Sequence, residues 1–80
     1  MKKYLYFSSE WCGPCQILGP ILSSTGLIYE KIDIDSSPQT ASTYGVRSIP
    51  TLILMENGVE KRRLVGNQSK QTIIDIFNNG

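Results

Sequence analysis

Between residues 3 and 8 apolar and aromatic side chains run unbroken through Tyr4-Leu5-Tyr6-Phe7, which predicts a short strand. Alternation puts Leu5 and Phe7 on one face and Tyr4 and Tyr6 on the other, and apolar groups on both faces suit a strand near the sheet centre. From about Cys12 to Ser24 the period changes to that of a helix, with Ile17, Leu18, Ile21 and Leu22 on one face. Pro20 lies inside this run, where its ring conflicts with the carbonyl of Gln16 and predicts a kink. Gly26 supplies a left-handed stop. Leu27 to Asp35 then alternates, with Ile28, Ile32 and Ile34 against Tyr29, Lys31 and Asp33, so a second strand is expected. Strand, helix and strand make a βαβ unit with parallel strands and a right-handed crossover.

Ser36-Ser37-Pro38 reads as a cap followed by a proline-led short helix that ends near Tyr44, before Gly45. Leu52-Ile53-Leu54-Met55, just after Pro50, is a continuous apolar strand covered on both sides. Asn57-Gly58 predicts a two-residue hairpin turn, so Val59 to Val65 returns antiparallel, its Glu60, Lys61, Arg62 and Arg63 suiting an exposed edge. Gly66 ends that strand, Ser69 can cap, and Ile73, Ile74 and Phe77 give a last helix its apolar face. The expected architecture is α/β, ordered βαβ-α-ββα, with a four-stranded mixed sheet and helices on both faces. No repeat, linker or low-complexity stretch interrupts the 80 residues, so 1–80 reads as a single domain.

Only two cysteines occur, and both fall at the first strand-to-helix junction, in Ser9-Glu10-Trp11-Cys12-Gly13-Pro14-Cys15. Free backbone N–H groups and the positive end of the helix dipole favour an anion there, so Cys12 is expected to be an exposed nucleophile of lowered pKa. Cys15, almost one turn further along and deeper, is the resolving thiol. Gly13 lets a partner's backbone approach, Pro14 fits the first helical turn, and Trp11 offers a broad apolar face with one N–H donor. A closed zinc site wants four ligands, whereas the chain has no His and no further Cys. A bridge over so short a loop removes little unfolded-state entropy, so a purely structural disulfide is a poor alternative.

Composition narrows the class further. Hydrophobic residues at 40% and charged residues at 19% describe an ordinary soluble globule, and a net charge of +1 argues against nucleic-acid binding through phosphate neutralisation. Met1-Lys2-Lys3 resembles the start of an export signal, but the apolar run after it stops at Phe7 and is too short. Reactive thiols without export point to a reducing compartment, so a cytoplasmic protein with no membrane partner is expected.

Across almost its whole length the chain resembles the thioredoxin family. Trp11-Cys12-Gly13-Pro14-Cys15 matches that family's active-site motif, Pro20 its helix kink, Ser48-Ile49-Pro50-Thr51 its cis-proline loop, and Val65-Gly66 with Ser69-Lys70 its third active-site loop. The resemblance implies a minimal thioredoxin fold and a monomeric thiol–disulfide oxidoreductase that needs no cofactor beyond its own Cys12–Cys15 disulfide. It implies a thioredoxin reductase-like electron donor, and disulfide-containing protein substrates such as a ribonucleotide reductase. Pro50 would be cis and lie against the cysteines, with the Ile49 backbone pairing to a bound peptide. Trp11, Ile34, Ile49, Val65 and Gly66 would surround Cys12 as a docking surface.

Three departures from that family stand out. The extra strand and helix that open a full-length member do not precede the first strand here, so the chain resembles a trimmed core of glutaredoxin size. Tyr6 stands where the family commonly has a buried Asp that accepts the proton of the second cysteine, and Gln16 stands where Lys is frequent. Lys31 matches the family's partly buried Lys. With no carboxylate at position 6, Asp33 on the same strand face is the expected charge partner of Lys31, and deprotonation of Cys15 would rely on water or the departing thiolate. Two alternatives follow from the same fold. One is a glutathione-dependent glutaredoxin-like reductase, against which stand Gly13-Pro14 between the cysteines and a single Gly66. The other is a non-catalytic accessory subunit docking through Trp11 and Ile49.

Overall fold

Tyr4–Phe7 and Leu52–Met55 lie side by side in the middle of a four-stranded sheet, the one place where both faces of a strand are covered. The structure is a computed structural model and describes residues 1–79. Its elements are β1 (Lys2–Ser8), α1 (Gly13–Ser24), β2 (Tyr29–Asp33), α2 (Pro38–Thr43), β3 (Thr51–Glu56), β4 (Val59–Val65) and α3 (Lys70–Asn79). The sheet order is β2-β1-β3-β4, with β1 parallel to β2 and the other two pairings antiparallel.

Alternation along β1 and β3 divides the core in two. Tyr4, Tyr6, Leu52 and Leu54 pack with Leu18 and Leu22 of α1 and Ile73 of α3, while Leu5, Phe7, Ile53 and Met55 face Ile32 and Ala41 of α2. Helices therefore cover both faces. The hairpin turn holds Asn57 at φ 54° and Gly58 at φ 84°, the left-handed pair that an Asn-Gly turn provides. Beyond it the register shifts between Leu54 and Met55, opposite Arg62 and Glu60, so Lys61 is the extra residue of a bulge. That bulge, and the exposed charges around it, blunt the β4 edge.

Several expectations are corrected. The second strand is shorter than 27–35: Ile28 and Ile34 lie outside it, and Ile28 is 53% exposed in the turn leading in. Ile17 is 58% exposed, because α1 seats itself on Cys15, Leu18 and Leu22, and a residue adjacent to Leu18 is turned about 100° away. On α3, Ile76 joins Phe77 against the core beside Ile73, whereas Ile74 is half-buried outside that cluster. Ser37 occupies the N-cap of α2 without a side-chain capping bond, while Ser69 does cap, its Oγ accepting the Thr72 N–H at 3.1 Å.

Tyr4 ties the sheet to α3: its ring is fully buried and its hydroxyl donates to the Ile73 carbonyl at 2.6 Å. Burial pushes the Tyr4 phenol up to about 12 from 10.0, with Arg62 opposing. Because the folded value lies above the unfolded one, the stability contributed by the neutral phenol is complete below pH 10 and is lost as pH rises through 12. Urea unfolding across this range should show a loss on the order of 2 kcal/mol. Tyr4→Phe should be less stable at neutral pH but much flatter between pH 10 and 12; an equally steep fall would place the alkaline sensitivity elsewhere.

Candidate active site

One end of the sheet collects four chain segments. β1 and β2 finish there and β3 begins, with Thr51 paired to both Phe7 and Val65. Two loop bonds close the cluster: the Ile34 N–H donates to the Ser8 carbonyl at 3.0 Å, and the Gly66 N–H donates to the Pro50 carbonyl at 2.8 Å. The Ile49–Pro50 peptide is cis, as the resemblance to the thioredoxin family implied, and Pro50 is buried. Thr51 steadies the approach to it, its hydroxyl donating to the Ser48 carbonyl at 2.7 Å.

Cys12 occupies the N-cap of α1 in an extended conformation, φ −90° and ψ 107°. Its Sγ takes the acceptor role that a serine or aspartate oxygen usually fills, receiving the Cys15 N–H at 3.2 Å. The two cysteines are joined as a disulfide, their Cα atoms 5.2 Å apart. Exposure does not separate them as expected: Cys12 is 5% and Cys15 3% exposed, because the bridge folds the first sulfur onto the amide of the second. What separates them is the cap, which belongs to Cys12 alone.

The residues expected to form a docking surface differ in exposure. Trp11 is 69% and Val65 56% exposed, Ile34, Ile49 and Gly66 are half-buried, and Gly66 holds a φ of 85°. The exposed Ile17, one turn beyond Gly13, adds apolar area that the helical pattern had assigned to the core. Asp35 was missed altogether. Its Oδ2 accepts the Trp11 indole N–H at 2.8 Å, holding that ring in place, and no spacing in the sequence links the two residues.

Beneath the disulfide, Tyr6 pairs with Lys31 across β1 and β2, and its hydroxyl donates to the Cys15 carbonyl at 2.7 Å. Burial raises the Tyr6 phenol above its ordinary value, the neighbouring Ser8 hydroxyl acting in the opposite sense and Tyr29 adding a smaller upward push. Asp33 does not pair with Lys31. Its Oδ1 accepts the backbone N–H groups of Asp35 at 2.8 Å and Ser36 at 3.4 Å, a local turn that outcompetes a neighbour two residues back. Lys31 is exposed rather than partly buried, and forms no salt bridge among the described residues. Also unforeseen, the Ser8 and Ser9 hydroxyls are buried without a well-aligned hydrogen bond among the described residues, although the Ser8 hydroxyl lies close enough to the Tyr6 phenol to act on it.

The sequence profile of the Thioredoxin family matches residues 2–79. This chain belongs to the thioredoxin family. It is 44% identical over 77 residues to a thioredoxin of Chlamydia caviae, covering 90% of this chain and 76% of that protein. With a thioredoxin of Rickettsia typhi the identity is 42% over 78 residues, covering 90% and 74%. A mutant thioredoxin from Halobacterium salinarum superimposes with a TM-score of 0.92 at 34% identity, over 96% of this chain and 72% of that one. Fasciola hepatica thioredoxin, at 23% identity, shares the fold with a TM-score of 0.88 over 96% and 78%. With its cysteine pair held at disulfide distance, this thioredoxin-family protein is a thiol–disulfide oxidoreductase of the protein-disulfide reductase type. No helix among the described residues is long and apolar enough to cross a membrane.

The exposure of Trp11 sets one expectation. Trp11→Ala should lower stability by less than about 1 kcal/mol in thermal or urea unfolding; a loss of about 3–5 kcal/mol, the scale of a buried aromatic, would make it a core residue. Tyr6→Phe, by contrast, removes a buried hydrogen bond and should cost about 1 kcal/mol. Its disulfide-reduction rate at pH 7 should stay within about twofold, since burial holds the Tyr6 phenol neutral, above its ordinary value, and a neutral phenol is a poor proton acceptor. A large rate loss would show that the hydroxyl takes part in the chemistry.

Proposed function

We propose that Cys12 is the attacking thiol and Cys15 the resolving thiol in the reduction of protein disulfides. The observation that carries this reading is the place of the Cys12 sulfur at the cap of α1. In the reduced protein a Cys12 thiolate would keep the Cys15 N–H as a donor and sit at the positive end of the helix dipole, which lowers its pKa. That thiolate attacks one sulfur of the partner's disulfide, forming a mixed disulfide and releasing the other sulfur as a thiolate. Cys15 then attacks the Cys12 sulfur, the partner leaves as its second thiolate, and two electrons have passed to the substrate. The sulfurs carry the whole reaction and call for no bound cofactor.

Substrates dock as extended segments, the backbone of Ile49 beside cis Pro50 offering a strand edge and Trp11, Ile34, Val65 and Gly66 an apolar seat. Gly13 and Pro14 leave the approach to Cys12 free of polar bulk. Disulfide-containing proteins of the ribonucleotide reductase kind fit such a site. A thioredoxin reductase-like donor returns the electrons to a monomeric protein in the cytoplasm.

Brief iodoacetamide treatment of the reduced protein followed by peptide mapping should label Cys12 well before Cys15, and the reverse order would overturn the assignment. Cys15→Ser should trap a stable mixed disulfide with a protein substrate such as insulin. Recharging of the oxidised protein should proceed with a thioredoxin reductase and not with glutathione alone; efficient glutathione recharging would support a glutaredoxin-like enzyme. Biological activity that survives Cys12→Ser together with Cys15→Ser would support an accessory subunit.

A further inference from the structure

Residues 44–50, the stretch that carries Ile49, run between α2 and β3, and β4 holds them at both ends. At the far end the Gly66 N–H donates to the Pro50 carbonyl at 2.8 Å. At the near end the Arg63 side chain crosses from β4 and donates through Nη2 to the Tyr44 carbonyl at 2.7 Å. Tyr44 is the C-cap of α2, where the last carbonyls have no partner inside the helix and the negative end of the dipole favours a cation. That helix has no basic residue in its own last turn, so β4 supplies one. Between the two anchors, Val46 and Ile49 pack against the cluster that holds Phe7 and Ile53, and the Thr51 hydroxyl donates to the Ser48 carbonyl at 2.7 Å. We propose that Arg63 is a positioning residue for the Ile49 docking segment, holding its start in place so that the Ile49 backbone meets an incoming peptide already ordered. The inference rests on the reading that substrates dock beside Ile49, and deepens it.

The bulge in β4 makes this arrangement possible. In a regular strand, residues three apart point to opposite faces. Glu60 and Arg63 nevertheless share a face, because Glu60 pairs with Met55 and Arg63 with Ile53, and both of those belong to the layer that meets α2. The register shift at Leu54 and Met55, with Lys61 as the extra residue, supplies the missing step. Glu60 then grips the guanidinium, its Oε2 accepting from Nε and its Oε1 from Nη2, each at 2.9 Å. The hydrogen bond from Arg63 holds the Glu60 carboxyl below its ordinary value, so both partners are charged at neutral pH. With side chains 31% and 38% exposed, such a pair adds little to stability by itself. Its consequence is geometric: a planar fork fixed by one carboxylate leaves Nη2 aimed at the Tyr44 carbonyl. A docking segment that is ordered beforehand spends less binding free energy on ordering itself, so loss of the anchor weakens docking and leaves the chemistry of the sulfurs alone.

Insulin reduction by the protein, with dithiothreitol as the reductant, reads docking and chemistry together. Reduction of the small, neutral hydroxyethyl disulfide by the pre-reduced protein reads the sulfurs with little docking. Arg63→Met keeps the apolar stem and removes the donors: KM for insulin should rise about fivefold, while kcat and the rate with hydroxyethyl disulfide stay within about twofold. Glu60→Ala, which takes the brace from Arg63, should raise KM by a smaller factor in the same direction, although the two substitutions change the net charge in opposite senses. Glu60→Gln keeps an acceptor for the guanidinium and should restore most of the parent KM. Peptide-resolved hydrogen exchange should quicken over residues 45–49 in Arg63→Met, where the Gly45 and Val46 N–H groups are bonded to the Ser42 and Ala41 carbonyls, and stay unchanged over α1. An unchanged KM, opposite shifts of KM in Arg63→Met and Glu60→Ala, or equal losses with insulin and the small disulfide would each overturn the positioning role. Should Arg63→Met fold poorly, the contrast between Glu60→Ala and Glu60→Gln decides the matter, and equal KM values in those two would overturn it. Failure of the unmodified protein to reduce insulin while it still reduces hydroxyethyl disulfide would instead overturn the docking reading beneath the proposal.

Discussion

The N-terminus of α1 is the constraint on which the molecule turns, because a sulfur there performs the capping task of a side-chain oxygen. Cys12 is extended and receives the Cys15 N–H, and Pro14 in the first turn has no N–H that needs a partner. A helix start is stable in that form only if the helix behind it is held. Leu18 and Leu22, fully buried against Tyr4, Tyr6, Leu52 and Leu54, provide that hold. The strand that delivers the chain to the cap must be central, since burial on both faces makes it the stiffest part of a small sheet. β1 is placed there by its apolar residues on both sides.

Above and below the cap the surroundings differ in kind. On one side, bonds reach across separate segments: Trp11 to Asp35 beyond β2, and Gly66 to the cis Pro50 loop. Its bond to Asp35 holds the exposed Trp11 ring in one place. On the other lies a cleft lined by Tyr6, Ser8, Ser9, Cys15, Tyr29 and Lys31. Tyr6 connects the two levels, filling core space with its ring while its hydroxyl holds the carbonyl of Cys15.

Much of this was legible in the chain because it depends on near neighbours. Alternation along Tyr4-Leu5-Tyr6-Phe7, the apolar run Leu52 to Met55, the Asn57-Gly58 turn and the Gly26, Gly45 and Gly66 stops each encode a local backbone preference, and each stands as expected. The placement of Cys12 and Cys15 at a strand-to-helix junction was equally local. Helical periodicity misjudged Ile17 because a four-residue apolar face cannot say which of its members meets the sheet; Cys15, Leu18 and Leu22 already complete the contact. The Lys31–Asp33 pairing failed for a similar reason, since a carboxylate on a strand end has backbone N–H groups nearer than any ammonium.

By itself, then, the sequence determined the order of the elements, the two-sided core, the cysteine pair and its family likeness, since these follow from period, turn chemistry and spacing along the chain. Only the tertiary structure decided what meets at the end of the sheet. The Trp11–Asp35 bond spans 24 positions, and Tyr4 reaches Ile73 across 69. Hydrogen-bond partners and burial depend on which surfaces are brought together in space, and no pattern of neighbours along a chain records that.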